Sequence, residues 1–197
     1  MASMLQIVLI RPGSTDYDQQ QRIQGTLDVP LNAQGNVEVV QATDQLAALG
    51  IEVVYTSPSE AASQTAGVVA KHLGVKLKVL ERLENLDHGL WQGMLVEDVR
   101  RKQPKVYRQW QEQPENVRPP EGEMLSEAEE RIRIDLNKLL KRHREGVIAL
   151  VAPEPLASLI RRYIHQDELG DLWKLVNIHG GWEVLEIEPV NVLAQST

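Results

Sequence analysis

Leu5-Gln6-Ile7-Val8-Leu9-Ile10-Arg11-Pro12-Gly13-Ser14-Thr15 is the stretch on which the reading of this chain turns. Leu5 to Ile10 is a nearly continuous apolar run, the pattern of a strand buried on both faces of a parallel sheet. It ends abruptly at Arg11, and Pro12-Gly13 marks a turn. A strand that delivers an arginine and a glycine into a turn usually serves an anion. The proline between them has no backbone N–H to offer one.

Four further strands are expected at Val53–Thr56, Lys76–Leu80, Val147–Ala152 and Val184–Ile187, the last alternating like an edge strand. Helical patterns lie between them. Val39, Ala42, Leu46 and Leu49 share a face, with Gly50 placed as a C-terminal cap. Ala62, Ala66, Val69 and Leu73 repeat the device ahead of Gly74. A long helix is expected from Ser126, with Ser126 and Glu129 as a capping box and a stripe of Ala128, Ile132, Leu136, Leu139 and Leu140. Its last turn is basic, which suits the helix dipole. Another helix is expected at about Leu156–His165.

Strands alternating with helices of this length predict an α/β fold, a three-layer α/β/α sandwich around a mostly parallel sheet. At 197 residues the chain is read as one domain, 1–197, with a helical insertion at about 94–122. Ligands of such sheets bind outside the carboxyl ends of the strands. Arg11–Thr15, Thr56–Glu60 and Ala152–Pro155 therefore form one candidate site.

Composition narrows the function. The formal net charge is −7, which leaves no basic footprint for nucleic acid. Arg100-Arg101-Lys102 and Lys141-Arg142-His143-Arg144 read as solvated helix faces. There is no cysteine, which removes thiolate chemistry and disulfides and fits a cytoplasmic protein. No signal peptide and no membrane span is expected. The five histidines, His72, His88, His143, His165 and His179, lack metal-site spacing, so neither metal nor cofactor is expected.

Five ordered motifs give the chain a family likeness. They are Arg11-Pro12-Gly13-Ser14-Thr15 with Arg22-Ile23-Gln24-Gly25, Val54-Tyr55-Thr56-Ser57-Pro58 with Gln64-Thr65-Ala66, and Leu86-Asp87-His88-Gly89-Leu90-Trp91-Gln92-Gly93. To these are added Pro119-Pro120-Glu121-Gly122-Glu123 and the strand ending at Ala152-Pro153. Together they resemble the histidine phosphatase superfamily, with its phosphoglycerate mutase-like fold. The resemblance implies a histidine that carries a phosphoryl group, a second histidine and two arginines on the phosphate oxygens, and an acid for the leaving group.

Matched residue by residue, the likeness breaks at the reactive positions. Pro12 stands in place of the nucleophile, and a tertiary amide has no lone pair to attack with. Ala61 stands in place of the second arginine, Asn85 of the acid and Pro153 of the second histidine. Only Arg11 remains. It has two readings: a planar fork for phosphate oxygens, or a structural arginine bonded to loop carbonyls or a carboxylate such as Asp16. Gly13, Ser14, Thr15, Arg22, Glu84, His88 and Glu154 complete the residual pocket. His88 has the alternative of packing against the next loop, and His179 reads as a turn residue. Among the tryptophans, Trp91 and Trp182 are expected in the core and Trp110 on the surface.

The leading expectation is an inactive phosphatase-like protein that works by binding, as a scaffold or regulatory subunit, with a protein partner or a second copy of itself. Phosphate binding is expected to be weak or absent. The alternatives are an enzyme with rewired chemistry on Glu84, Glu154 or a recruited hydroxyl (Ser14, Thr15 or Thr56), and a small-ligand sensor using Arg11.

Overall fold

The computed structural model describes residues 4–175 and 178–187. Five strands, β1 (Leu5–Ile10), β2 (Val53–Thr56), β3 (Lys76–Val79), β4 (Gly146–Val151) and β5 (Trp182–Ile187), form one sheet in the order β3-β2-β4-β1-β5. All neighbours are parallel except β1 and β5. Register aligns the strand ends that matter: Ile10 lies beside Val151, and Val151 beside Thr56. The three loops that leave β1, β2 and β4 therefore start level, at one end of the sheet.

Side chains alternate between two buried layers because strand residues point to opposite faces. Val8, Ile10, Val54, Ala149 and Val151 face α2 (Ala33–Leu46) and α3 (Glu60–Leu73). Leu5, Ile7, Leu9, Tyr55, Ile148 and Leu150 face the other way, against α6 (Leu125–Arg142) and α7 (Leu156–His165). This is the three-layer α/β/α arrangement. Gly50 and Gly74 close their helices in the left-handed conformation.

Three local expectations need correction. The long helix begins at Leu125, with Met124 as the cap residue, so Ser126 already lies inside the first turn. The reciprocal bond comes from Glu127, whose carboxylate accepts the Met124 N–H at 2.8 Å. Trp110 is fully buried, not exposed. The insertion holds α4 (Val96–Lys102) and α5 (Pro104–Glu112), and α5 folds its one-sided apolar stripe onto the second core layer. There Trp110 meets Trp91 edge-on at 5.6 Å, and Trp173 of α8 (Leu172–Leu175) packs on both. Trp182 is only half-buried, at the margin of the first layer, with its Nε1 donating to Gln45.

Candidate functional site

Gly13 sets the path of the first loop. A Cβ at Gly13 would overlap the Gly35 carbonyl, and one at Gly35 would overlap the Ser14 carbonyl, so loop and helix α2 approach backbone to backbone. Thr15 then caps α1 (Asp16–Gln20): the Asp18 carboxylate accepts the Thr15 N–H at 2.6 Å and the Thr15 hydroxyl at 2.8 Å. Ser14 is buried beneath, its N–H on Glu38 Oε2 at 2.9 Å and its hydroxyl on Asn32 Oδ1 at 3.0 Å.

Arg11 is bonded to two carboxylates, neither of them the one anticipated. Its Nε donates to Glu154 Oε1 at 2.6 Å and its Nη2 to Glu183 Oε1 at 2.9 Å. Asp16 is not involved. Burial opposes the guanidinium charge, but the two glutamates outweigh it and hold the Arg11 pKa above its ordinary value. Glu154 has its other oxygen on the Ser158 N–H at 3.1 Å, at the start of α7.

Asn85 is buried and uses both ends of its amide. Nδ2 donates to the carbonyls of Gly25 (3.2 Å) and Glu154 (2.9 Å), and Oδ1 accepts from the N–H groups of Leu86 (2.9 Å) and Leu156 (3.2 Å). It thus stitches three loops together. Arg131 of α6 fixes the same loop from outside, donating to the carbonyls of Arg82, Glu84 and Asn85. Glu84 is exposed and lines a neighbouring cavity of about 110 Å³ with Thr26, Asp28 and Ser59. Arg22 lies outside the cleft, bonded to the Gly93 carbonyl at 2.6 Å and to Gln20.

The cleft at the strand ends encloses about 30 Å³, on the scale of a single water. Pro12, Ala61, Pro153 and Pro155 supply much of its wall, with Gly13, Thr15, Asp18, Gln24, Glu154, His88 and His179. His88 is almost fully buried, stands 5.8 Å from the Trp110 ring edge-on, and has Nδ1 at 3.1 Å from the Leu86 carbonyl. A carbonyl only accepts, so Nδ1 carries the proton. Burial pushes the His88 pKa down to about 4, against the pull of the Leu86 carbonyl and Asp87, so the ring is neutral at neutral pH. His179 turns Nδ1 to Glu38 Oε2 at 3.0 Å.

The chain and its fold have counterparts among known proteins. The family model of the histidine phosphatase superfamily, branch 1, matches residues 7–194. The chain belongs to that superfamily. Phosphoserine phosphatase 1 of Hydrogenobacter thermophilus is 27% identical over 186 residues, covering 94% of this chain and 88% of the relative. A protein named probable phosphoglycerate mutase GpmB, of Cronobacter sakazakii, is 31% identical over 137 residues, 70% of this chain and 64% of its own length. Among solved structures, a mycobacterial glucosyl-3-phosphoglycerate phosphatase superposes with a TM-score of 0.78 at 23% identity, over 91% of this chain and 88% of that one. The fold of this superfamily member is thus shared with proteins named as phosphatases and mutases.

Several residues of the cleft went unread in the sequence. Glu183 reaches Arg11 because β5 runs antiparallel to β1, which brings the start of the last strand to the end of the first. Glu38 carries no pattern of its own, and Gln24 is legible only as a member of Arg22-Ile23-Gln24-Gly25. Asp18 did leave a signal, since Thr15-x-x-Asp18 has the spacing of a cap residue and its reciprocal acid. Among the described residues no group of three His, Asp or Glu side chains is placed to hold a metal, and no helix is long and apolar enough to cross a membrane.

Proposed function

We propose that this chain is a catalytically inactive histidine phosphatase that acts by binding, as a scaffold or regulatory subunit. One observation carries the reading: Arg11, the single guanidinium left at the phosphate position, has two internal carboxylates, Glu154 and Glu183, where an anion's oxygens would sit. A phosphate dianion entering there must displace Glu183 or Glu154 and then sit against the displaced charge. The positions that the superfamily resemblance gives to the nucleophile, the second histidine and the second arginine are Pro12, Pro153 and Ala61, and none of these can accept a phosphoryl group or hold its oxygens.

Glu84 does not supply a replacement acid, because Arg131 and Asn85 fix its loop with the carboxylate outward. Glu154 is engaged on both oxygens. Loss of chemistry leaves recognition as the use of the fold, by a protein partner or a second copy of the chain.

The test is turnover. Purified protein is expected to release no phosphate above buffer from p-nitrophenyl phosphate, phosphoserine or 3-phosphoglycerate. Steady release that disappears in Arg11→Ala would overturn the reading.

A further inference from the structure

The β3 edge of the sheet is open. β3 ends the strand order, and all four of its residues are exposed. The Leu80 N–H turns inward to the Thr56 carbonyl at 2.9 Å, and the main-chain groups of successive strand residues point alternately to either side. Lys76 and Lys78 therefore pair inward with β2, and the N–H and C=O groups of Leu77 and Val79 point outward. No strand among the described residues takes them up. Such a row is a template for an added strand.

The two faces of this edge differ in chemistry. Leu77 lies beside Val54 and Lys78 beside Tyr55, so successive β3 side chains fall on the α3 face and the α6 face in turn. On the α3 face Leu77 and Val79 are aliphatic and 39% and 45% exposed. On the α6 face stand Lys76 and Lys78, with Lys78 Nζ 5.7 Å from the centre of the Tyr55 ring. A groove of about 270 Å³ between the end of β3 and α6 adds Arg82, Lys138 and Arg142, with Glu81 and Asp135. Asp135 is taken by Lys138 at 3.4 Å. Lys76, Lys78, Arg82 and Arg142 have no carboxylate partner among the described residues, whereas Arg118, Arg131, Arg133, Arg161 and Arg162 each have one. Four unpaired cations thus gather at one corner of a chain whose net charge is −7.

Lysines on an edge strand ordinarily deter pairing. They do so by charge, so they turn away basic strands and admit acidic ones. A second copy of this chain is turned away on that ground. Antiparallel pairing of β3 with itself, centred on Lys76, Leu77 or Lys78, sets a lysine opposite a lysine. A nucleic acid would meet the cations but leave the outward main-chain groups and the aliphatic side chains of Leu77 and Val79 unused.

We propose that the β3 edge takes up an extended segment of a partner protein in which acidic and aliphatic residues alternate. Its main chain continues the sheet beyond β3, its carboxylates meet Lys76, Lys78, Arg82 and Arg142, and its aliphatic side chains cover Leu77 and Val79. The inference names a partner class for the binding role proposed above and rests on that reading, but none of these residues lines the cleft at the strand ends.

The experiment titrates the full chain into a fluorescein-labelled decapeptide of alternating glutamate and valine. Anisotropy and amide hydrogen exchange are the readouts. The peptide is expected to bind and to weaken as sodium chloride rises. It is expected to slow exchange of the Leu77 and Val79 amides and to leave those of Lys76 and Lys78, already in the ladder, unchanged. An alternating lysine–valine peptide is expected not to bind. N-methylation of every residue of the acidic peptide, which removes its donors and keeps its charge, is expected to weaken binding by about tenfold or more. So is the double variant Lys76→Glu with Arg82→Glu, on the same scale.

No binding of the glutamate–valine peptide overturns the proposal, as does equal binding of the lysine–valine or the N-methylated peptide. A single-stranded oligonucleotide that binds as tightly, with Leu77 and Val79 still exchanging freely, assigns the cations to nucleic acid and overturns it. Leu77 and Val79 amides already protected in a free chain that sediments as a dimer assign the edge to a second copy, with the same result. Exchange in the wild-type protein decides the matter even if the double variant does not fold. Phosphomonoester turnover on the same preparation keeps the two readings apart. An inactive protein that ignores the peptide loses only this inference, and an active one that binds it loses only the reading of inactivity.

Discussion

Arg11 Nε donates to Glu154 Oε1 at 2.6 Å, joining the end of β1 to the start of α7 across 143 residues of sequence. Both side chains are largely withdrawn from water, 12% and 2% exposed. Removing one member of such a pair leaves an uncompensated charge, which costs about 3–5 kcal/mol. Arg11→Ala, which strands the buried Glu154, is expected to lose stability on that scale in urea unfolding. Arg11→Met with Glu154→Leu is expected to recover most of it, because apolar replacement of both charges removes the desolvation penalty. A loss below about 1 kcal/mol for Arg11→Ala would mean that the pair behaves as a solvated surface bridge.

His88 makes stability depend on pH. The unfolded side chain takes a proton near pH 6.5 and the folded one only near 4, so between these values the unfolded state binds more protons. Stability from this group is complete above about pH 6.5 and falls as pH drops toward 4, by on the order of 3 kcal/mol in all. Urea midpoints measured across this window are expected to decline, and His88→Phe is expected to flatten the decline. An equal slope in wild type and variant would assign the acid sensitivity to other groups.

How far the sequence reaches is visible in these same residues. The strands were legible because Leu5–Ile10 and Val147–Ala152 are apolar runs that the two-faced burial of β1 and β4 requires. That prolines follow β1 and β4 needed only the identities of Pro12 and Pro153. What stayed hidden depends on tertiary closure. Trp110 looked solvent-facing amid Gln and Pro, because nothing local says that α5 folds back onto Trp91 and Trp173. Glu183 lies just before the edge strand expected at Val184–Ile187, and only the antiparallel return of β5 sets it against Arg11.

Asn85 supplies a sharper test of the loop that follows β3. Its Nδ2 satisfies the Gly25 and Glu154 carbonyls, which an ionised carboxylate in its place could not do. Asn85→Asp is expected to cost about 1–3 kcal/mol for each carbonyl left without a donor. The penalty should shrink at acid pH, because a protonated carboxyl regains one O–H. Denaturation of variant and wild type at neutral and acid pH measures this difference. A variant as stable as the wild type at neutral pH would show that the three-loop stitch is dispensable.

The two carboxylates on Arg11 can be neutralised by mutation. Glu183 is the more accessible of its two partners, 30% exposed against 2% for Glu154, and it approaches from the strand that β1 pairs with last in the chain. Glu183→Gln removes a charge while keeping the shape, and Glu154→Gln does the same on the buried side. With both in place the guanidinium keeps its position but has no internal anion. A charge-assisted hydrogen bond contributes about 1.5–3 kcal/mol, so sulfate affinity is expected to rise by roughly tenfold or more over wild type. Thermal shift against sodium sulfate, with sodium chloride at matched ionic strength as the control, reads this out. Wild-type protein that responds to sulfate as strongly as the double variant would mean that Glu154 and Glu183 do not occupy the anion's place.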